Sequence, residues 1–360
     1  MNILSERISR LCKSLRLVFG DPDELTYYPE YARKSRLRIR LEQVGWMLRH
    51  GEINHFYYFY GCDRLDGPSP FDYGSKKAFI RYRDAVNARG LIGSHRANYN
   101  CLLQDKFLFG QYVSSLGFPT PRILGLVSRE QVRLLNPVRD LSWEDFLVGR
   151  EGTFFVKDIL GERAQGVFRI TVAQGGVSIG SQPVSVDGLK SRLSPLNILQ
   201  EPIQQHPLLS EMNPAAVNTL RLVTVRAGKQ IVPLAAMLRL GTEKTCCDNL
   251  AEGGLAVGVD LKDGWLMQWG FFKPGFGKRT DRHPLTGFVF KNVRLPFFEE
   301  AVDSACRLHR FFYGTHSIGW DIAITENGPT FLEGNNSWEI PTLQIFYPDL
   351  TVRFYQSLQK

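Results

Sequence analysis

Three oxygen-bearing side chains stand close together near the end of the chain, in the run GWDIAITENGPTFLEGN. Asp321 lies on what reads as the first strand of a hairpin. Glu333 and Asn335 lie two apart on the second, so they point to one face. Asp321 reaches them across the strand pair. Such a set suits Mg²⁺, which takes a few carboxylates together with phosphate oxygens and water. A polar hairpin facing solvent is the plainer alternative. However, Trp320, Ile322, Ile324, Phe331 and Leu332 make the segment apolar. Carboxylates held in such surroundings need a partner, which favours the metal reading.

Two lysines offer a second kind of chemistry. Lys106 follows Asp105 at the start of a helical stretch, and Lys157 closes the apolar run FFVK. A lysine ending a buried strand reaches a phosphate or a carboxylate, or snorkels to solvent. Gly161 and Gly166 follow Lys157 in the loop GERAQGV. That loop can lay backbone N–H groups over phosphates, but without GK[ST] it is no Walker A sequence. Gln200, Glu201 and Ile203 lie where a strand ends in ILQEPIQQHP, placed to offer backbone groups to an adenine edge; taken alone this is only a strand end. Asn218 and Arg221 sit on VNTLRLVTV and Arg239 on AAMLRLG, followed by Asp248, Asn249, Gly253 and Gly254 in CDNLAEGG. Arginines on buried strands beside a Gly-Gly loop suit an anionic transition state. Structural ion pairs explain each arginine equally well.

The elements that must position these groups come from a chain of 360 residues, 43% hydrophobic and 22% charged. These values fit a globular protein of two or three units with its own core, and exclude a disordered chain or a disulfide scaffold. No apolar run has the length of a membrane span, and the N-terminus lacks an apolar signal region, so a cytoplasmic protein is expected. The cysteines, Cys12, Cys62, Cys101, Cys246, Cys247 and Cys306, form no CxxC pair and read as reduced, mostly buried thiols. The net charge is +8. Residues 1–100 hold 17 Lys+Arg against 11 Asp+Glu, a net of +6. A solvated helical face accounts for this excess. Contact with an anionic substrate, or peripheral contact with a membrane, is the alternative.

Residues 1–100 read as mainly helical. Segment 31–50 fits an amphipathic helix whose apolar face is Leu37, Ile39, Leu41, Val44, Met47 and Leu48. HFYYFYG is expected in a core rather than as a sugar-stacking surface. Helices are expected at Lys76–Asn87, Asp105–Leu116 and about 296–312, the last with Pro296 in its first turn. From about residue 152 strands dominate, in TFFVKDI, GVFRITV and NILQEPI. Hairpin turns are expected at Ala227-Gly228-Lys229, Lys262-Asp263-Gly264 and Glu326-Asn327-Gly328. The fold class is α+β, with largely antiparallel strands and no dinucleotide fingerprint.

In this order and spacing the motifs resemble the ATP-grasp superfamily, most of all its sugar-transfer-associated branch, whose members are often encoded beside glycosyltransferases. The resemblance runs over roughly residues 100–340. It implies two α+β subdomains clamping ATP, expected at 101–205 and 206–360, behind a basic helical region at 1–100. Carried over by position, Lys106 and Lys157 would contact the nucleotide phosphates, and Gly161–Val167 would form a lid. Glu201 and Ile203 would face the adenine. Asp321, Glu333 and Asn335 would bind two Mg²⁺, with Glu333 bridging them. Arg221 and Arg239 would hold the γ-phosphate and an acyl phosphate, and Asn249 with Gly253-Gly254 would lie near the acceptor. Lys157 is followed by Asp158 where many relatives have proline, and the lid carries Glu162 and Arg163; both departures bear on the lid.

The implied chemistry joins a small-molecule carboxylate, such as a sugar acid, to an amine, such as an amino acid. ATP first converts the carboxylate to an acyl phosphate, in surface polysaccharide or glycoconjugate synthesis. A phosphotransferase on the same fold and a binding protein with a regulatory ATP site are the alternatives. His206, His283 and His316 are spare proton-transfer groups, better read as loop or packing residues. The basic residues form no nucleic-acid reader motif. The chain alone leaves the oligomeric state open.

Overall fold

Alternating apolar residues and glycine-bearing turns build most of this chain into long antiparallel hairpins. The computed structural model describes residue 12 and residues 14–89, 91–92, 95–96, 99–161, 166–242 and 250–359. The N-terminal region holds α1 (Arg36–His50) and α2 (Lys76–Arg89), then a small hairpin of β1 (Leu91–Ile92) and β2 (His95–Arg96). Two short helices follow, α3 (Asn100–Gln104) and α4 (Lys106–Ser115). Asp105 caps α4, its carboxylate accepting from Phe107 N at 2.8 Å and Leu108 N at 2.9 Å.

The first sheet comprises β3 (Ile123–Val127), β4 (Val132–Leu135), β5 (Val138–Leu141), β6 (Gly152–Asp158), β7 (Val167–Ala173), β8 (Gly176–Ile179), β9 (Gln182–Val184) and β10 (Asn197–Gln200). Their spatial order is β5-β4-β3-β10-β6-β7-β8-β9, antiparallel throughout. It therefore begins about 30 residues before the point at which strands were expected to dominate. The strands concerned are short, and Val138–Leu141 is mostly exposed, so no apolar alternation marks it. α5 (Trp143–Val148) and α6 (Val186–Lys190) supply Trp143, Phe146, Leu147 and Leu189 to its core.

The second sheet follows α7 (Pro207–Met212) and comprises β11 (Thr219–Ala227), β12 (Gln230–Leu240), β13 (Leu255–Val259), β14 (Leu266–Phe272), β15 (Arg279–Thr280), β16 (Ser317–Thr325) and β17 (Gly328–Asn335). The order is β15-β14-β13-β12-β11-β16-β17. The expected turns all lie at hairpin ends, with Gly228, Gly264 and Gly328 at positive φ.

Both faces of this sheet are covered. Leu220, Leu222, Trp320 and Ile322 face a core completed by α8 (Phe298–His309) and α4. Pro296 lies outside α8, because Phe297, in the left-handed region at φ 54°, is the cap. Along the same strands the alternate residues Val223, Val225 and Met237 face the N-terminal region, α9 (Pro341–Phe346) and α10 (Leu350–Ser357). Tyr57, Tyr58, Phe59 and Tyr60 are buried there, so HFYYFYG is core. Phe79 packs at 5.1 Å from Trp338 and 4.9 Å from Phe354. Residues 101–115 also belong with this second sheet, since α3 and α4 pack on β17.

Two expectations change. Of the four described cysteines only Cys62 is buried, while Cys12 and Cys101 are exposed; Cys246 and Cys247 lie outside the described residues. In α1, Ile39 of the expected apolar face is buried, but Leu37, Leu41, Val44, Met47 and Leu48 are exposed, and Gln43 and Trp46 are buried in their place. The inward face is fixed partly by polar contacts: Gln43 accepts from Asn54 N at 3.2 Å and donates to Asn54 O at 3.3 Å.

Candidate active site

The strand period that sends Leu220, Leu222, Trp320 and Ile322 into one core sends Arg221, Arg239 and Asp321 to the opposite face. Register places Arg221 beside Asp321, and Asp321 beside Glu333. The β16–β17 pairing shifts there, with Ile322 opposite Phe331, so Leu332 is an extra residue. This bulge lets Glu333 and Asn335 share Asp321's face while Phe331 stays in the core.

Asp321 is nearly sealed from solvent and held by both arginines. Arg221 donates through Nε and, at 2.9 Å, through Nη2; Arg239 Nη1 lies 3.1 and 3.2 Å from the two carboxylate oxygens. Asn335 Nδ2 lies 3.4 Å from Asp321 Oδ2 and 3.4 Å from Glu333 Oε1. Burial alone would raise Asp321, but Arg221 and Arg239 pull it well below the usual carboxylate range. Glu333 is pushed up, by burial and by the Asp321 charge. The two carboxyls are thus shifted in opposite directions, Asp321 toward the charged form and Glu333 toward the protonated one. Two carboxyls this close, one of them held charged, make a place where a cation fits. The donor set, two carboxylates and an amide, is one Mg²⁺ accepts. Asn335 must turn its amide to offer oxygen rather than nitrogen.

These groups open on a cavity of about 1510 Å³. Arg221, Arg239, Asp321, Glu333 and Asn335 line it together with Lys157 and Gln200 of the first sheet, Gly161, Glu201 and Ile203 of the loops that follow its strands, and Lys106 at the start of α4. Lys106 Nζ donates to Gly161 O, and its charge pulls on both Glu333 and Asp158. Lys157 pairs in register with Ile198 and Val167. Gln200 is buried, its Nε2 3.4 Å from Pro121 O. Glu201 N donates to Arg122 O at 3.0 Å. Gly166 does not line the cavity, but its carbonyl accepts from Asp158 N at 3.2 Å.

Asp158, the departure beside Lys157, ties both ends of the loop. Its side chain accepts from Leu160 N at 2.8 Å, and its carbonyl accepts from Gly161 N at 3.3 Å. Glu162 and Arg163 in the loop, and Asn249 near the expected acceptor side, lie outside the described residues.

Among the cavity residues that escaped the sequence reading, three form one charged cluster. Glu339 Oε1 accepts from Lys76 Nζ at 3.0 Å, and its Oε2 accepts from Lys273 Nζ at 2.9 Å. Burial would raise Glu339, but the two ammonium groups hold it at about 2. Burial lowers Lys273, as do the charges of Lys76 and Arg239, which places this cluster within electrostatic reach of Arg239. Lys273 ends the apolar run WGFFK much as Lys157 ends FFVK, so one signal serves for both. The histidines named above serve the fold. His206 caps α7, its Nδ1 accepting from Leu208 N at 3.2 Å; His283 Nε2 lies 2.7 Å from Gly241 O; His316 Nε2 lies 3.2 Å from Ser357 Oγ.

A family profile described as sugar-transfer associated ATP-grasp matches residues 93–354. Curated proteins yield no significant match. Among solved structures, the chain is similar to an N5-carboxyaminoimidazole ribonucleotide synthetase from Thermotoga maritima, at 13% identity over 65% of this chain and 42% of that one, with a TM-score of 0.35. It is similar to D-alanyl-alanine synthetase A from Vibrio cholerae at 10% identity, over 72% of this chain and 66% of that one, with a TM-score of 0.40. A D-alanine–D-alanine ligase from Bacillus anthracis gives 14% identity, 72% and 68% coverage, and a TM-score of 0.36. The chain thus spans 42% and 66% of the length of the first two.

Proposed function

The chain belongs to the sugar-transfer-associated ATP-grasp family and has its α+β fold, and from that premise we propose that it is an ATP-dependent carboxylate–amine ligase. One observation carries the reading. Lys157 of the first sheet and Lys106 of α4 line a single cavity together with two arginines, two carboxylates and an amide of the second sheet.

The residues act through charge and position. A carboxylate attacks the γ-phosphorus only if the repulsion between two anions is offset. Lys106 and Lys157 place positive charge on the side where the triphosphate would lie. Arg221 and Arg239 place it where the transferred phosphoryl would meet the acceptor. Asp321, Glu333 and Asn335 would hold Mg²⁺, and what that ion supplies when bound is further positive charge on phosphate oxygens. Backbone at Glu201 and Ile203 would receive the adenine.

In the first half-reaction a carboxylate oxygen bonds to the γ-phosphorus and ADP leaves. In the second the amine nitrogen bonds to the acyl carbon, phosphate leaves, and the amine loses a proton. The acyl phosphate survives only if water is kept out, a task assigned to the loop between Gly161 and Gly166.

The acceptor is read as an anionic sugar acid, in surface polysaccharide or glycoconjugate synthesis. Supporting it are Lys76 and Lys273, which bring two positive charges against the single charge of Glu339 in the same cavity. The amine is read as an amino acid.

The test is ADP release with Mg·ATP over pairs of sugar acids and amino acids, with product masses. The expected result is ADP only when both partners are present, with a product one water lighter than their sum, and loss of both in Glu333→Gln. Phosphate retained on a single acceptor would instead identify a phosphotransferase.

A further inference from the structure

The apolar stripe of α1 faces outward. Leu37, Leu41, Val44 and Leu48 recur at i, i+4, i+7 and i+11, which on a helix is one narrow line. Their exposures are 67%, 63%, 41% and 79%. The buried residues Ile39, Gln43 and Trp46 lie on the opposite side. At 100° per residue, Arg40 and Met47 flank the line on one side, and Arg38 and Arg49 on the other. The patch continues beyond the helix: the Arg40 guanidinium lies 5.4 Å from the ring of Phe19, itself 61% exposed, with Leu15 exposed nearby in sequence. The helix's one carboxylate, Glu42, is taken up by Lys34 at 3.0 Å, by Arg38 at 3.2 Å and by Tyr57 Oη at 2.5 Å.

We infer that this face docks on an anionic lipid bilayer. An apolar line edged by arginines is the arrangement that buries leucines at the headgroup boundary while guanidinium groups remain among phosphates. Charge complementarity selects a bilayer over a second copy of the chain. A twofold pairing of this helix would set arginine edge against arginine edge, which like-charge repulsion opposes. The region's net charge of +6, from 17 Lys+Arg against 11 Asp+Glu, acts in the same sense. Leu17, between Leu15 and Phe19, lines the reaction cavity, so docking brings the cavity close to the membrane surface.

Sedimentation of the full chain with vesicles tests this. Binding is expected with phosphatidylcholine vesicles containing about one-third phosphatidylglycerol, and little with phosphatidylcholine alone. Leu41→Glu with Leu48→Glu, both at exposed sites, is expected to lower binding at least about tenfold while leaving the thermal midpoint unchanged. Arg40→Gln and Arg49→Gln are each expected to lower it about fivefold. No sedimentation of the natural chain, or equal sedimentation of the leucine variant, would overturn the inference. So would a lipid-free dimer that the same leucine variant disperses, since the occupant would then be a second copy.

Discussion

Asp321 and Glu333 illustrate how two adjacent carboxyls are pushed in opposite directions. Burial raises both, but Arg221 and Arg239 reverse the sign at Asp321, and the resulting charge adds to the rise at Glu333. A cation held at the proposed site would favour charged Glu333, against that rise. Calorimetry in two buffers of different ionisation enthalpy should show proton release on Mg²⁺ binding where pH lies near or below the raised Glu333 pKa, with affinity falling as pH falls through it. Glu333→Gln should remove the proton release; its persistence would place the proton elsewhere. The same shifts govern stability without metal. Glu333 stabilises the fold below its ordinary 4.5 and loses that contribution as pH rises through its folded value. Glu333→Gln, which resembles the protonated side chain, should therefore be at least as stable as the natural protein at neutral pH. Glu339 behaves oppositely. Its contribution is present above its ordinary 4.5 and is lost as pH falls toward about 2. Glu339→Gln leaves Lys76 facing Lys273, and a cost of about 1–3 kcal/mol is expected in denaturant melts, less than a sealed pair because the carboxylate is partly exposed.

At the scale of elements, helix α4 and the β16–β17 hairpin bring the two sides of the site together. Asp105→Ala removes the cap that holds Lys106 at the helix start. A loss of about 1 kcal/mol is expected, with a raised KM for ATP and a smaller change in kcat. Gly334 sits between Glu333 and Asn335, where a Cβ would meet Leu103 Cδ2 at 2.6 Å and Trp320 Cζ3 at 3.1 Å. Gly334→Ala should cost about 1–3 kcal/mol and reduce Mg²⁺-dependent turnover, since relieving the contact moves the bulged strand. These elements were legible because local chemistry agreed with the fold. Asn327-Gly328 demands a tight turn, and strand alternation then sets which residues share a face. Less was legible where local pattern and tertiary role parted. The exposed strand Val138–Leu141 shows no alternation. The apolar line of α1 reads as core, yet Gln43 and Trp46 anchor the helix by its other side. Lys76, Lys273 and Glu339 come from three distant segments that only the folded chain unites.

For the whole molecule, the second sheet is the common frame. One face carries the core of α4 and α8; the other carries both the site and the N-terminal aromatic cluster. Asn87 Nδ2 ties α2 to this frame, donating to Ser317 O at 3.1 Å and Asn336 O at 3.0 Å. A chain starting at residue 100 would expose Trp338, Phe354 and Phe271 to water. It should be insoluble or lack a cooperative melt in calorimetry, even though the family match begins at residue 93. Lys76 also comes from that region, so the proposed acceptor side of the cavity depends on it.

The central claim is that both sheets hold one reaction in which a carboxylate is activated by phosphoryl transfer before an amine displaces phosphate. Heavy-oxygen labelling of the carboxylate, with whichever acid–amine pair supports ADP release, tests it most directly. Acyl phosphate formation predicts that one labelled oxygen leaves in the inorganic phosphate. Retention of all the label in the organic product would contradict it.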